Sequence, residues 1–156
     1  MKVSQVMNQK IIAVKRSTTL AELIGLFQSF HSFPLVPVVD QQGTLIGVVS
    51  FQRLVEAFRT SSQDLLKTIP FVDEHHLDIF DMDLTSEIGE LCIVDDLMQT
   101  KFLSISQDSS IEEVYRLMQV HQIEQLPVID SENKLVGMIG AFDIFLALFK
   151  EKGIIQ

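Results

Sequence analysis

Two stretches of this sequence, one in each half, follow the same pattern of residues. Residues 36–49 read VPVVDQQGTLIGVV, and residues 126–139 read LPVIDSENKLVGMI. A shift of 90 positions aligns the Pro-Val pair, the Asp, the Leu and the second Gly of the first stretch with their counterparts in the second. Polar turn residues between two apolar runs predict a β-hairpin in each stretch. The chain is therefore expected to contain one structural unit twice.

The residues around each hairpin repeat as well, with an offset of 91 on the N-terminal side. Each copy begins with a short strand candidate and continues with a capping box that marks the start of a helix. Apolar residues at helical spacing follow and predict an amphipathic helix, which reaches Phe30 in the first copy. The strand candidates are 11–14 and 102–105, the capping boxes pair Thr19 with Glu22 and Ser110 with Glu113, and second helices begin near Phe51 and Ala141. Each copy thus predicts the order β-α-β-β-α.

The overall charge excludes some classes of partner. The chain has 156 residues, 47% of them hydrophobic, and its 12 Lys and Arg against 21 Asp and Glu give a formal net charge of -9. Nucleic acid is not an expected partner, because proteins that bind its phosphates need a positive surface. Most of the negative charge falls in 60–92. We expect an acidic connector there, between repeat 1 at 1–59 and repeat 2 at 93–156.

Cysteine usage and hydropathy indicate a cytoplasmic protein. Cys92 is the only cysteine, so neither an intramolecular disulfide nor a thiolate zinc cluster is available. The longest late apolar run, 144–149, is too short to cross a bilayer, and the N-terminal residues lack a signal-peptide pattern. We expect an unprocessed cytoplasmic protein with no membrane partner.

The repeated unit resembles the CBS domain, named after cystathionine β-synthase. The resemblance covers 3–59 and 93–149 and rests on the Pro-Val-x-Asp motif followed by Gly47 in one copy and Gly137 in the other. It implies an α/β fold in which two β-α-β-β-α repeats pack about a pseudo-twofold axis, with two clefts between them. In similar CBS pairs these clefts bind AMP, ADP, ATP or S-adenosylmethionine, so the resemblance implies a ligand sensor without catalysis.

The nucleotide signature of the family, Gly-x-x-(Thr/Ser)-x-x-Asp, is divided between the two copies. The first copy keeps the hydroxyl at Ser50 but has Arg53 at the acid position, whereas the second keeps Asp143 but has Gly140 in place of the hydroxyl. The hydroxyl position lies at a helix N-terminus, which favours a phosphate, and the acid one turn later is placed to accept both ribose hydroxyls. The resemblance implies that each cleft takes its signature from one repeat and its base-binding wall from the other.

Two candidate ligand sites follow from this resemblance. One combines Asp143, Gly140 and Met138 with a wall of Ile11, Ile12, Phe33, Pro34 and Leu35, and the other combines Ser50 and Arg53 with Phe102, Leu103, Glu124 and Gln125. The Asp143 cleft is the one expected to bind, because it keeps the ribose carboxylate. Lys10 is the only cation placed near it, so we expect AMP or S-adenosylmethionine rather than ATP. Two roles are open for Arg53, binding of a phosphate or pairing with Glu124, and of these we favour the pairing, which would close the other cleft.

Other interpretations stay open from the sequence alone. Asp143 could serve only its helix dipole, the acids and histidines of 73–83 could hold a divalent cation such as Mg²⁺, and the chain could be a structural dimerisation module with decayed clefts. The enzyme motifs of hydrolases, phosphate loops and dinucleotide folds are absent from the sequence. We expect no enzyme and no cofactor, apart from an adenosine nucleotide as ligand. The aromatic helix residues Phe27, Phe30, Phe58, Phe145 and Phe149 predict a homodimer, which signals to an unidentified downstream protein.

Overall fold

The computed structural model describes residues 1–59, 79–82 and 84–156, which form two α/β repeats. The first contains helix α1 (Leu20–Leu26), strands β1 (Val36–Val39) and β2 (Leu45–Val49), and helix α2 (Phe51–Ala57). Two single-turn helices follow, α3 (Ile88–Leu91) and α4 (Val94–Leu97). The second repeat contains β3 (Ile105–Ser106), α5 (Ile111–His121), β4 (Gln125–Ile129), β5 (Leu135–Gly140) and α6 (Ala141–Glu151). Short 3-10 turns lie at Val3–Gln5 and Ile79–Asp81.

The hairpins predicted from the two repeated stretches are both present. Strands β1 and β2 are antiparallel with Val38 opposite Gly47, and β4 and β5 are antiparallel with Val128 opposite Gly137. These two pairs correspond under the offset of 90. The internal repeat of the sequence is therefore a structural repeat with the same register.

The strands predicted at 11–14 and 102–105 are shorter than expected. In the first copy only Val14 pairs, through a parallel bridge to β1, and in the second copy the strand is Ile105–Ser106, parallel to β4. The apolar residues before Val14 are not held in a sheet, and Ile12 is 39% exposed. Their apolar character reflects the cavity described below rather than strand pairing.

Aspartate side chains organise both hairpin turns. Asp40 Oδ1 accepts hydrogen bonds from the backbone N–H groups of Gln42 and Thr44, each at 2.9 Å. The hydrogen bond from Thr44 is the largest cause of the lowered pKa of Asp40. Asp130 repeats the pattern, accepting from the N–H groups two and four residues later at 2.8 Å and 3.0 Å. The Asp of the Pro-Val-x-Asp motif therefore shapes the turn.

The first helix of each repeat begins at its predicted cap. Thr19 Oγ1 accepts from the Glu22 N–H at 3.2 Å, and Glu22 Oε2 accepts from the Thr19 N–H at 3.0 Å. In the second copy Ser110 Oγ accepts from the Glu113 N–H at 3.2 Å. The described residues show no second hydrogen bond, from the Ser110 N–H to the Glu113 carboxylate. The full capping box is thus confirmed for α1, and only half of it for α5.

Helix α1 is shorter than predicted and ends at Leu26 instead of continuing to Phe30. Phe27 is buried, and its ring makes edge-on contacts with the rings of Phe30 and Phe33, with centroids 5.1 Å apart in both pairs. Phe33 packs in this way against the first hydrophobic core. An aromatic cluster thus takes the place of the last helical turn.

Each hydrophobic core is completed by a segment from the other repeat. Val94 and Leu97 of α4 are buried in the first core, and the equivalent residue Val3 is buried in the second. Burial of one such side chain contributes about 1.5–3 kcal/mol to stability. We call 3–8 and 94–99 the leader segments; each leader packs on the repeat that it does not belong to.

Backbone hydrogen bonds relate the repeats by a pseudo-twofold axis. Leu45 donates its N–H to the Asn133 carbonyl at 3.1 Å, and the equivalent Leu135 donates to the Gly43 carbonyl at 3.0 Å. The two bonds exchange partners under the offset of 90, as a twofold operation requires. The predicted fold class, an α/β pair of CBS-like repeats about a pseudo-twofold axis, is confirmed.

The glycines of the repeated motif lie where the leader segments cross the hairpins. A Cβ atom on Gly137 would lie 2.7 Å from Met7 Sδ and 3.0 Å from the Asn8 carbonyl oxygen, and one on Gly47 would lie 2.9 Å from Met98 Sδ. Ordinary side-chain carbons do not approach neighbours this closely. Glycine is therefore required at both positions by the close backbone crossing.

Candidate functional site

A cavity of about 1060 Å³ lies between the two repeats, next to the N-terminus of α6. Pockets for small molecules commonly have volumes of about 300–1,000 Å³, so this cavity is large enough for a nucleotide-sized ligand. Eight of the predicted site residues line it: Asp143, Gly140, Met138, Ile11, Ile12, Pro34, Leu35 and Gln125. The first repeat and its leader supply one side of the cavity, and strands and helices of the second repeat supply the other.

Asp143 occupies the first turn of α6, where its carboxylate also stabilises the helix. Its Oδ2 accepts the N–H of Gly140, the N-cap residue, at 2.7 Å. The other oxygen, Oδ1, has no hydrogen-bond partner among the described residues. Asp143 thus has one oxygen engaged by its own helix and one available to accept a hydroxyl group.

One part of the cavity lining is apolar. Ile11, Ile12, Pro34 and Leu35 contribute to it, and Met138 of β5 lines the same cavity. Aliphatic side chains and a proline offer a surface of low polarity that suits the face of a planar base. The predicted wall residue Phe33 does not line the cavity, because the aromatic cluster with Phe27 directs it to the first core.

Gln125 and Glu124, which the sequence predicted for the cleft with Ser50, lie in the Asp143 cavity. Both residues belong to its lining. Gln125 Oε1 accepts the N–H of Leu35 at 2.9 Å, across the two repeats. Leu35 and Gln125 are equivalent under the offset of 90, so both approach the pseudo-twofold axis. Residues this close to the axis contribute to a wall on either side, so the place of Gln125 on the Ser50 cleft stays a prediction.

The second candidate site does not adopt the predicted arrangement. Ser50 Oγ accepts the N–H of Arg53 at 3.2 Å and so caps α2. Arg53 Nη1 lies 3.9 Å from Glu56 Oε2 on the same helix, so the predicted pairing of Arg53 with Glu124 was wrong. Residues three apart on a helix face one another, which makes the local partner accessible without cleft closure. Ser50, Arg53, Phe102 and Leu103 do not belong to the lining of the cavity described above.

Several cavity residues were not singled out by the sequence. Glu112 and Tyr115 of α5, together with Phe30 and Phe145, also line the cavity. Tyr115, Phe30 and Phe145 are 47%, 49% and 49% exposed. The sequence places Tyr115 at the edge of the apolar stripe of α5. Core residues occupy the same kind of position, so this pattern did not identify Tyr115 as a cavity residue.

The described ranges lack a metal-binding cluster, a membrane-spanning helix and an activated thiol. Residues 1–59, 79–82 and 84–156 contain no group of three or more His, Cys, Asp or Glu that could hold a metal ion. The same ranges contain no helix long and apolar enough to cross a membrane. Burial raises the pKa of the Cys92 thiol, and the Asp96 carboxylate raises it further, so this thiol is not activated. The acidic run 73–83, apart from 79–82, lies outside the described residues.

Comparison with known proteins agrees with the geometry. The family model of the CBS domain matches residues 3–60 and 94–150. The chain belongs to the CBS domain family. A CBS domain-containing protein of Dictyostelium discoideum is 27% identical over 148 residues, which cover 95% of this chain and 91% of that protein.

Two solved CBS structures have the same fold. CBSX2 of Arabidopsis thaliana, in complex with AMP, superposes with a TM-score of 0.69 at 25% identity and covers 97% of this chain and 98% of its own. The CBS domain pair of protein MJ0100, in complex with 5-methylthioadenosine and S-adenosyl-L-methionine, has a TM-score of 0.64 at 17% identity and covers 95% and 99% of the two chains. At 17% identity the second comparison concerns the fold alone.

Proposed function

We propose that this CBS pair is a regulatory module that binds an adenosine-containing ligand in the Asp143 cavity, with AMP or S-adenosylmethionine preferred over ATP. The observation that carries the proposal is the position of Asp143, in the first turn of α6 and in a large cavity between the repeats. The AMP complex of CBSX2, a protein of the same family and fold, supports it. In this proposal repeat 1 spans 1–59, the connector 60–92 and repeat 2 93–156.

Each part of the ligand has a counterpart in the cavity. The adenine lies on the apolar wall of Ile11, Ile12 and Leu35, and Asp143 Oδ1 accepts a ribose hydroxyl. Lys10 is the only cation among the described lining residues, which is too little positive charge for a triphosphate. The module transmits occupancy to a separate downstream protein in the cytoplasm and has no reaction of its own to catalyse.

Isothermal titration calorimetry of the full chain tests this function. We expect heat on addition of adenosine, AMP or S-adenosylmethionine, and weaker binding of ATP. Heat from Mg²⁺ alone would contradict the proposal in favour of a cation sensor that uses the connector. No heat from any of these compounds would contradict it in favour of a structural module.

The Arg53→Ala variant is expected to leave ligand affinity unchanged within about twofold, because distant sites behave independently. The guanidinium pairs with Glu56 on α2 and does not line the cavity. Its Nε is shielded from solvent and unpartnered within the described structure, so its removal also relieves an unfavourable burial. Calorimetry with S-adenosylmethionine and AMP measures the affinity. A tenfold or greater loss would place the working site in the first repeat.

The proposal includes a homodimer formed through the aromatic face of α6. The rings of Phe145 and Phe149 stack with centroids 4.3 Å apart, and Phe142, 68% exposed, stacks on Phe145 at 6.1 Å. Such contiguous apolar surface is typical of an interface. Phe27, also predicted for this surface, is instead buried in the first core.

A charge placed in this face should separate the dimer. We expect Phe149→Glu to sediment as a monomer at tens of micromolar protein, because burial of an unpaired carboxylate is costly. The matched control is Lys150→Glu, an exposed position of the same helix, which should stay dimeric. A dimeric Phe149→Glu variant, or a monomeric parent protein, would argue against this interface.

A further inference from the structure

We infer that the ligand of the Asp143 cavity is an adenosine derivative whose 5′ substituent carries a positive charge, such as a sulfonium or an amine. This inference rests on the proposed function and narrows its ligand class. It follows from three features of the cavity: its lining charges, the state of its helix N-terminus and its aromatic lining residues.

The described lining residues are negatively charged as a set. They include the three carboxylates of Asp143, Glu112 and Glu124 against the single ammonium of Lys10, a formal charge of −2. None of these four groups takes part in an ion pair within the described structure. The Coulomb energy therefore favours a cation in this cavity and opposes a phosphate dianion.

The N-terminus of α6 is poorly prepared for a phosphate. A phosphate at a helix N-terminus binds the first backbone N–H groups, but here the Gly140 N–H already donates to Asp143 Oδ2 at 2.7 Å. The next N–H, that of Ala141, donates to the Glu124 carbonyl oxygen at 3.0 Å. The Asp143 carboxylate also offsets the positive end of the helix dipole. Two backbone donors at this helix N-terminus are thus already engaged within the protein.

Part of the cavity lining consists of aromatic side chains that are partly exposed. Phe30 and Tyr115 belong to it and are about half exposed. Aromatic faces attract sulfonium and ammonium groups through their quadrupoles, whereas phenylalanine offers no donor to a phosphate. Glu112 lies one turn before Tyr115 on α5, so a carboxylate accompanies the aromatic surface.

A metal ion does not account for the negative charge as well as an organic cation does. A bound divalent cation needs several oxygen ligands at a single point, and no described group of three acids, histidines or cysteines is close enough together to hold one. The carboxylates are instead distributed over the wall of a large cavity. This distribution suits a positive charge on an extended organic substituent.

Two ligands that differ by one methyl group and one positive charge provide the decisive test. Calorimetry would compare S-adenosylmethionine with S-adenosylhomocysteine, and AMP with adenosine, at low and high salt. We expect the sulfonium compound to bind about tenfold more tightly than its neutral analogue at low salt, and the difference to shrink at high salt because of screening. AMP is expected to bind more weakly than adenosine.

Charge-neutralising variants identify the residues responsible. Glu112→Gln and Glu124→Gln should each lower the ratio of S-adenosylmethionine to S-adenosylhomocysteine affinity. Glu132→Gln, the same change in a hairpin turn away from the cavity lining, should leave that ratio unchanged.

The outcomes separate this inference from the proposed function. Equal affinities for S-adenosylmethionine and S-adenosylhomocysteine would overturn the inference, and so would tighter binding of AMP than of adenosine. In either case, measurable binding of adenosine would still support the proposed function. A ratio that falls equally in the Glu132 control also overturns it, because the effect would then come from net charge and not from the cavity. If adenosine and all its derivatives fail to bind, the proposed function itself is wrong.

Discussion

Replacing Gly137 by alanine is expected to destabilise the protein by about 1–3 kcal/mol, the usual cost of forcing an extra carbon into a packed site. The leader residues Met7 and Asn8 cross this glycine so closely that a Cβ would lie 2.7 Å from Met7 Sδ and 3.0 Å from the Asn8 carbonyl oxygen. The sulfur has freedom to move, but the carbonyl belongs to a backbone that is hydrogen-bonded to β5 through the Asn8 and Met138 N–H groups. Urea denaturation followed by circular dichroism measures the loss.

Gly25→Ala is the matched control, and it should have the opposite sign. Gly25 lies inside α1, where the nearest atom to an added Cβ is Gln28 Nε2 at 4.0 Å. Alanine in a helix interior is favoured over glycine by about 0.5–1 kcal/mol. A Gly137→Ala variant as stable as the parent would show that the leader does not cross the hairpin at this distance.

Asp143→Ala is expected to lower the affinity for the adenosine ligand by about 30-fold or more, because charge-assisted hydrogen bonds contribute about 2 kcal/mol. The carboxylate oxygen Oδ1 is the group available to the ribose, and its removal takes away that acceptor. The same change removes the bond to the Gly140 N–H and should cost about 1 kcal/mol of stability through loss of the cap. Calorimetry gives the affinity, and urea denaturation gives the stability of the same sample.

Asp143→Asn distinguishes the two roles of this side chain. Its amide oxygen still accepts the Gly140 N–H, so stability should recover, whereas the charge that strengthens ribose binding remains absent. We therefore expect near-parental stability together with clearly weakened binding. Unchanged affinity in Asp143→Ala, combined with lost affinity in Arg53→Ala, would show that the ligand occupies the cleft of the first repeat.

Local features of the structure were predictable from the sequence. Asp40 and Asp130 organise turns through bonds to residues two and four positions away, so their roles are encoded in short stretches. The same holds for the caps at Thr19 and Ser110. The grouping of Asp143 with Ile11 and the other wall residues depended on the family resemblance, since more than a hundred positions separate them.

Features that depend on packing between the repeats were not predictable in this way. The presence of Gln125 in the Asp143 cavity was missed because Leu35 and Gln125 meet near the pseudo-twofold axis, where the repeat in the sequence does not tell which cleft a residue lines. The end of α1 at Leu26 depends on the rings of Phe27, Phe30 and Phe33, whose spacing alone is compatible with a longer helix. The place of Glu112 and Tyr115 in the cavity depends on how helices α5 and α6 lie relative to each other, which the sequence alone does not specify.

The exchange of leader segments has a consequence for the order in which the chain can fold during synthesis. The first core includes Val94 and Leu97, so repeat 1 cannot close its interior until the ribosome has released the chain beyond residue 97. Val3, the first part of the second core to be made, must wait for core residues such as Leu126 and Ile139, which are translated more than a hundred residues later. The nascent chain therefore carries uncovered apolar surface until parts of both repeats have left the ribosome, and the two repeats acquire their native interiors together.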